Sequence, residues 1–125
     1  MAIGVLAGSC RLSTGTDRSE EVRIRVDGQW SGLLEVITSF QFLVGEGEDG
    51  GTVIHFMSAD TASLPLPVDE TYALAPTYQF AVRIQAPTEE EGVVVTFTAW
   101  ADGAERFRRE NVSLEHPLEF YFQSR

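Results

Sequence analysis

The chain has 125 residues and a formal net charge of -10, with 43% hydrophobic and 22% charged residues. This length fits one domain, residues 1–125, and the balance of residues is that of a folded globular protein rather than a disordered or membrane protein. The negative charge argues against partners that are nucleic acids or anionic membranes.

The first predicted element is a strand with Ile3, Val5 and Ala7 on one face. It lacks the positive start of a signal peptide, and glycines interrupt its apolar run. We therefore expect a soluble protein that is cytoplasmic or assembled into a particle. Cys10 is the single cysteine of the chain, and we expect a structural thiol there rather than a nucleophile.

Alternation with period two is the main signal along the rest of the chain. Residues 21–26 and 78–85 alternate apolar and polar side chains, as half-buried strands do. Residues 33–44 predict a longer strand, with one side formed by Leu34, Val36, Phe40, Phe42 and Val44 and the other by Glu35, Ser39 and Gln41. Residues 52–58, 93–100, 105–114 and 118–123 add β-branched and aromatic segments that predict further strands.

Turn residues separate these segments. Asp27-Gly28 and Asp102-Gly103 suit tight turns, so we predict two hairpins, at residues 21–36 and 93–107. Residues 45–51 and 87–92 are predicted as loops between further antiparallel neighbours. Residues 59–77 contain three prolines and no strong strand pattern, and we expect a long connection there with one short helical turn near residues 68–74.

These elements favour an all-β fold, because no segment of ten residues has a convincing helical stripe. We predict a single-domain antiparallel β-sandwich of about seven to eight strands, Ig-like or jelly-roll-like, with a barrel as the alternative.

The sequence contains no motif for catalysis, a cofactor or a structural metal. His55 and His116 are far apart, His55 falls in an apolar alternation that favours a core or face position, and His116 precedes Pro117 in a turn context. Phosphate-binding loops, dinucleotide fingerprints and paired cysteines are absent from the sequence. We expect no enzymatic activity and no cofactor.

All nine basic residues are arginines, and five of them fall at outward positions of predicted strands. This candidate partner-binding set comprises Arg23, Arg25, Arg83, Arg106 and Arg108. If their strands are neighbours, they form a basic stripe suited to carboxylates of a protein partner. The alternative is cross-strand pairing within the chain, with Glu21, Glu35, Glu105 and Glu110.

An acidic loop is the candidate weak cation site. Glu46, Glu48 and Asp49 crowd one glycine-rich turn, and calcium prefers carboxylate and carbonyl oxygens from such loops. The spacing does not match an EF-hand. The alternative is a solvated loop of like charges, which the sequence favours.

Aromatic residues form the third candidate surface. Trp30 follows one Asp-Gly turn and could anchor a partner, whereas the apolar surroundings of Trp100 favour core packing. Phe120, Tyr121 and Phe122 place aromatic rings on both faces of the last strand. This implies either a central strand or an edge strand covered by another subunit, and we favour the second, with Tyr121 in the contact.

Two functions follow as hypotheses. The first is a non-catalytic structural or assembly protein, a β-sandwich subunit that self-associates or decorates a larger complex, such as a virion. Its partners would be copies of itself or other proteins of the assembly. The second is a ligand-binding accessory module that uses the acidic loop for calcium or the tryptophans for carbohydrate.

Overall fold

The computed structural model describes residues 19–87 and 92–124. Eight strands lie in these ranges, and their bounds are β1 Glu21–Gly28, β2 Leu33–Glu46, β3 Thr52–Pro65, β4 Val68–Ala73, β5 Gln79–Gln85, β6 Val94–Ala101, β7 Ala104–Ser113 and β8 Leu118–Gln123. The predicted strand at Ile3, Val5 and Ala7 lies outside the described residues, as does Cys10. The described part of the chain includes no helix with the length and hydropathy to cross a membrane.

The strands form two four-stranded antiparallel sheets packed face to face. The first sheet has the order β4-β1-β6-β7, and the second has the order β3-β2-β5-β8. The predicted antiparallel sandwich is confirmed, and the alternative of a closed barrel is not what the strands form. Five of the seven connections between consecutive strands pass from one sheet to the other, so most strand pairs are distant in sequence.

The core lies between the sheets and consists of the inward residues of both. Val22, Ile24 and Val26 of β1 face Phe80, Val82 and Ile84 of β5 within one buried cluster, in which each of these side chains is at most 1% exposed. This is the alternation that the sequence predicted for both strands, because successive side chains of a strand point to opposite faces.

Of the two predicted hairpins, one is confirmed and one is wrong. β6 and β7 pair across Asp102-Gly103, whose φ angles of 49° and 84° are those of a tight hairpin turn. The predicted hairpin at residues 21–36 does not form, because β1 and β2 lie in different sheets. Asp27 and Gly28 instead continue β1, where they pair with Thr96 and Val95 of β6.

Gly28 has a packing role instead of the predicted turn role. A Cβ atom built on Gly28 would lie 2.9 Å from the carbonyl oxygen of Val94. The glycine therefore permits a close approach of two backbones, which is a common reason for glycine inside a strand.

Substitution of Gly103 tests the turn that does form. Gly103→Ala is expected to lower the free energy of unfolding by about 1 kcal/mol, because an L side chain disfavours positive φ. A Cβ there would meet no atom within 4 Å, so backbone conformation is the cause. Gly45→Ala is the matched control, since Gly45 also has open space. Urea unfolding of both variants measures the difference, and an equal effect on both would contradict this explanation.

Residues 59–77 differ most from the prediction. β3 continues to Pro65, and residues 68–73 form β4 instead of the predicted helical turn. β4 pairs with β1 from Val26↔Val68 to Glu21↔Ala73. Residues 68–73 are a strand because they pair with the open side of β1. No local sequence pattern reveals this long-range contact.

The prediction that residues 87–92 join antiparallel neighbours is also wrong, and residues 88–91 themselves lie outside the described ranges. β5 and β6 lie in different sheets, so the connection between them joins the two layers and not antiparallel neighbours. The predicted loop at residues 45–51, in contrast, does join antiparallel neighbours, although its first two residues continue β2 to Glu46.

A bulge in β2 changes which side of the sheet its residues occupy. The register with β3 shifts between Thr38 and Phe42. Phe40 still packs on the main core, whereas Phe42 packs with Ile54 and Ala81 in a second cluster on the opposite face. The prediction that Phe42 shares a side with Leu34 and Val36 is therefore wrong, since one extra residue reverses the alternation.

The side chain of Ser39 stabilises the bulge. Ser39 is 1% exposed, although its predicted position was outward. Its hydroxyl donates a hydrogen bond to the carbonyl oxygen of Gln41 over 2.8 Å and accepts one from the amide of Gln41 over 3.2 Å. These bonds satisfy backbone groups that the interrupted ladder leaves unpaired.

Candidate interaction surfaces

Two arginines of β1 lie on the outer face of the first sheet and bind carboxylates of the same chain. Arg23 donates from Nε and Nη2 to Asp69 of β4 over 2.8 and 2.6 Å. Arg25 donates to Asp27 over 2.9 Å and to Asp69 over 3.1 Å. Asp69 thus bridges both guanidinium groups, so the positive charge of this surface is largely neutralised within the chain.

Asp69 gives this surface a predicted dependence on pH. Hydrogen bonds from Arg23, together with the charges of Arg23 and Arg25, lower the pKa of the Asp69 carboxyl from 3.8 to about 2. The folded state therefore binds this proton less readily than the unfolded state. The contribution of Asp69 to stability is complete above the ordinary pKa and is lost as pH falls from about 4 to about 2. The effect is small, because the pair is exposed to solvent.

Unfolding by urea at several pH values between 6 and 2 measures this contribution. We expect wild type to lose more stability over this interval than Asp69→Asn, and Glu70→Gln to behave as wild type. Glu70 is the matched control because it is an exposed carboxylate on the same strand. An Asp69 carboxyl signal that titrates near 3.8 by NMR would contradict the proposed cause.

Of the other three candidate arginines, Arg106 and Arg108 lie on β7 of the first sheet and Arg83 lies on the second sheet. Arg108 of β7 binds Glu110 over 2.8 Å and lies 3.9 Å from Glu105, on the same sheet as Arg23 but two strands away. Arg83 lies on the second sheet, where it binds Glu119 over 2.5 Å, and its guanidinium carbon is 4.6 Å from the ring centroid of Phe56. Arg106 lies 5.6 Å from the ring of Phe122.

The structure therefore does not gather the five arginines into one stripe. Four of them belong to strands of the first sheet, where Arg25 and Arg108 both pair with Thr98 of β6, and Arg83 is on the other sheet. Of the acidic partners expected from the sequence, Glu105 and Glu110 do contact an arginine, whereas Glu35 accepts a hydrogen bond from Gln85 over 2.6 Å. Binding of a partner by these arginines stays a prediction.

Both tryptophans are half-buried. Trp30 is partly buried and packs against the main core. Trp100 lies opposite Arg23 on the outer face of the first sheet, with the guanidinium carbon 4.8 Å from its ring centroid. The predicted core position of Trp100 is therefore wrong. Arginine stacking covers part of the indole face, which reduces the surface left for a sugar ring.

The acidic loop is a compact turn. Its backbone closes through hydrogen bonds from Gly47 to Gly51 over 2.7 Å and from Gly50 to Gly47 over 3.0 Å. Asp49 accepts a bond from the amide of Gly51 over 2.9 Å. Among the described residues, no three acidic, histidine or cysteine side chains are grouped as metal ligands. Cation binding by Glu46, Glu48 and Asp49 stays a prediction, and their side chains are not grouped as metal ligands in the described residues.

Both histidines are exposed. His55 is exposed on β3 and lies opposite Leu43, so its predicted core alternative is wrong. His116 is exposed in the turn before Pro117, as the sequence suggested.

A hairpin arm is the surface that the sequence did not predict. β2 pairs with β5 from Glu35 to Ser39, whereas its pairing with β3 continues to Glu46 and Thr52. Residues 41–58 therefore continue past the ladder with β5 and fold over the outer face of the second sheet, and we call them the hairpin arm. Leu43 and Met57 of the arm are 60% and 68% exposed, and both line an open groove at its base.

The face of the second sheet that is turned away from the core also carries apolar side chains. Ala81 lies between the core residues Phe80 and Val82, so its side chain points to the outer face, where it meets Phe42 and Ile54. The ring of Tyr121 in β8 lies 6.3 Å from that of Phe42. β8 is an edge strand, as the sequence suggested, and coverage of Tyr121 by another subunit stays a prediction.

Comparison with known proteins assigns no relative to this chain: no protein-family model, curated protein or solved structure matches it.

Proposed function

We propose that this protein is a non-catalytic assembly subunit that self-associates through its second sheet and hairpin arm. One observation carries the proposal. Of the six large hydrophobic side chains exposed in the described residues, five belong to the strands of that sheet and Val94 alone to the other. The five are Leu33, Leu43, Val44, Met57 and Tyr121.

Clustering of this kind favours a protein contact. Isolated exposed apolar residues are normal on protein surfaces, whereas the hairpin arm carries three of the five, Leu43, Val44 and Met57, and such a concentration is typical of interaction sites. Full burial of a leucine or methionine side chain stabilises by about 1.5–3 kcal/mol relative to exposure. Leu43 and Met57 together would thus contribute a substantial part of an association energy.

Charge-driven assembly, in which the acidic loop of one copy meets the arginines of the next, is the weaker form of this hypothesis. Asp69 and Asp27 already occupy Arg23 and Arg25. A partner carboxylate would therefore have to displace bonds that the chain makes within itself. Association through apolar side chains does not require these intramolecular bonds to break.

Charge-driven association and apolar association respond to salt in opposite ways. Screening weakens an attraction between acidic loops and arginines, but it also reduces the repulsion between copies that each carry a net charge of -10. We therefore expect the oligomer to persist or strengthen as salt is raised.

Light scattering after size exclusion tests the proposal at low and high salt over a range of protein concentrations. A concentration-dependent oligomer that persists at high salt supports apolar self-association. An oligomer that dissociates at high salt favours the charge-driven form. A monomer in all conditions would overturn self-association.

A further inference from the structure

Four strands form the edges of the two sheets in the described residues, and one of them differs from the rest. β4 and β8 have six residues each, and β7 has ten residues, of which five are charged. β3 has 14 residues and a single charged one, Asp60, if its histidine is neutral. Short length and charge are two usual protections of a sheet edge, and β3 lacks both; its one irregularity is the break in its register with β2 at residues 57–60.

The free edge of β3 is long and accessible. Its one pairing partner in the described chain is β2, so the backbone groups on its other side face away from the sheet. Most of its residues are exposed, and Pro65, which removes a backbone donor, lies at the very end. A strand of this length spans about 45 Å.

We propose that β3 pairs antiparallel with β3 of a second copy, which joins the two second sheets into one continuous eight-stranded sheet across a twofold axis. This inference rests on the self-association proposed above and specifies the strand through which two copies bind. Each edge supplies the backbone donors and acceptors that the other requires, so the strand is its own complement in an isologous interface.

Charge favours a second copy over a charged peptide as the occupant. A chain with a net charge of -10 repels its copies over most of its surface. β3 places one acidic residue in the contact, so the repulsion is small there. The strand also offers a basic peptide little attraction. A second copy brings a preformed strand of the same length and twist, which reduces the entropy lost on pairing.

The position of Met57 agrees with this arrangement. The midpoint of β3 falls between Ser58 and Ala59, next to Met57, which is the most exposed of the six large hydrophobic side chains. An axis near this midpoint gives the longest overlap of the two strands. With the axis at Ser58, Met57 lies opposite Ala59 of the second copy and diagonal to its own symmetry mate, which buries both methionines, while Phe56 lies opposite Asp60.

Single cysteines placed along β3 test the geometry in a Cys10→Ser background. The variants are His55→Cys, Met57→Cys, Ser58→Cys, Ala59→Cys and Thr61→Cys, which lie on both sides of an axis at Ser58 and are all exposed. In a twofold antiparallel pair, a residue at the axis faces its own copy at about 4.5–5.5 Å between Cβ atoms, close to the distance a disulfide needs. We expect the yield of oxidised dimer to peak at one of these positions and to fall more than tenfold within two or three residues.

The outcomes separate this inference from the function on which it rests. An oligomer by light scattering with a peaked cross-linking profile supports both. An oligomer with a flat or absent profile overturns the β3 contact and leaves self-association standing. A monomer overturns self-association and the β3 contact with it.

A pair of lysine variants provides a second, independent readout. Thr61→Lys with Ser63→Lys adds two charges to the β3 edge, and Thr71→Lys with Ala73→Lys adds the same two charges to the β4 edge. All four positions are exposed, so both variants are expected to fold. We expect the β3 variant to weaken the dimer at least tenfold and the β4 variant to leave its dissociation constant unchanged. Equal behaviour of the two variants would overturn the proposal.

Discussion

Replacement of Phe80 by alanine is expected to lower the free energy of unfolding by about 3–5 kcal/mol, because truncation of a buried ring removes its packing contacts and leaves a cavity. Phe80 is 0% exposed, and its ring lies 5.6 Å from that of Phe40 and 5.1 Å from that of Tyr72. Tyr72 belongs to the first sheet and the two phenylalanines to the second, so this cluster connects the layers.

Urea unfolding followed by tryptophan fluorescence measures the loss. Such a loss is a large part of the stability of a typical domain, about 5–15 kcal/mol. Leu43→Ala is the matched control, since it also replaces a large apolar side chain but at a position that is 60% exposed. We expect a change below about 1 kcal/mol for the control under conditions that keep the protein monomeric. A loss of less than about 1 kcal/mol for Phe80→Ala would contradict the described core.

The sequence predicted the fold class because its signals for strands are local and repeated. Alternation identified the inward residues of β1 and β5, and Asp102-Gly103 identified the hairpin of β6 and β7. In each case one physical requirement, either burial of one face or positive φ at two turn residues, determines both the residue types and the structure.

Long-range pairing explains the errors. Asp27-Gly28 has the same two residues as the true turn, yet pairing with β6 holds both in an extended strand. Residues 68–73 have two acidic residues and no clear alternation, and the free edge of β1 makes them a strand. A single sequence carries no direct signal for contacts between strands that are far apart along the chain.

The candidate surface was hidden for a related reason. The bulge near Ser39 reverses the alternation of β2, so the sequence placed Phe42 in the main core and gave no cue that the arm extends past β5. Exposure of Leu43 and Met57 depends on where neighbouring strands end. The sequence alone did not show that β3 is long and nearly uncharged, because residues 59–65 were not predicted to belong to it.

Conversion of Met57 to glutamate is the second large effect that we expect. At an axis near the midpoint of β3, the substitution places two like charges close together in a contact that excludes water. Such a juxtaposition costs several kcal/mol, which corresponds to an increase of about 100-fold or more in the dissociation constant of the dimer.

Val94→Glu is the matched control for this substitution. It replaces another exposed apolar side chain, 45% exposed, and makes the same change in net charge, but it lies on the first sheet. Sedimentation velocity over a range of concentrations compares the two variants with wild type. If Val94→Glu weakens the dimer as much as Met57→Glu does, the added charge itself and not its position is the cause. A shift confined to Met57→Glu assigns the contact to the hairpin arm, because only there does the charge become buried between two copies.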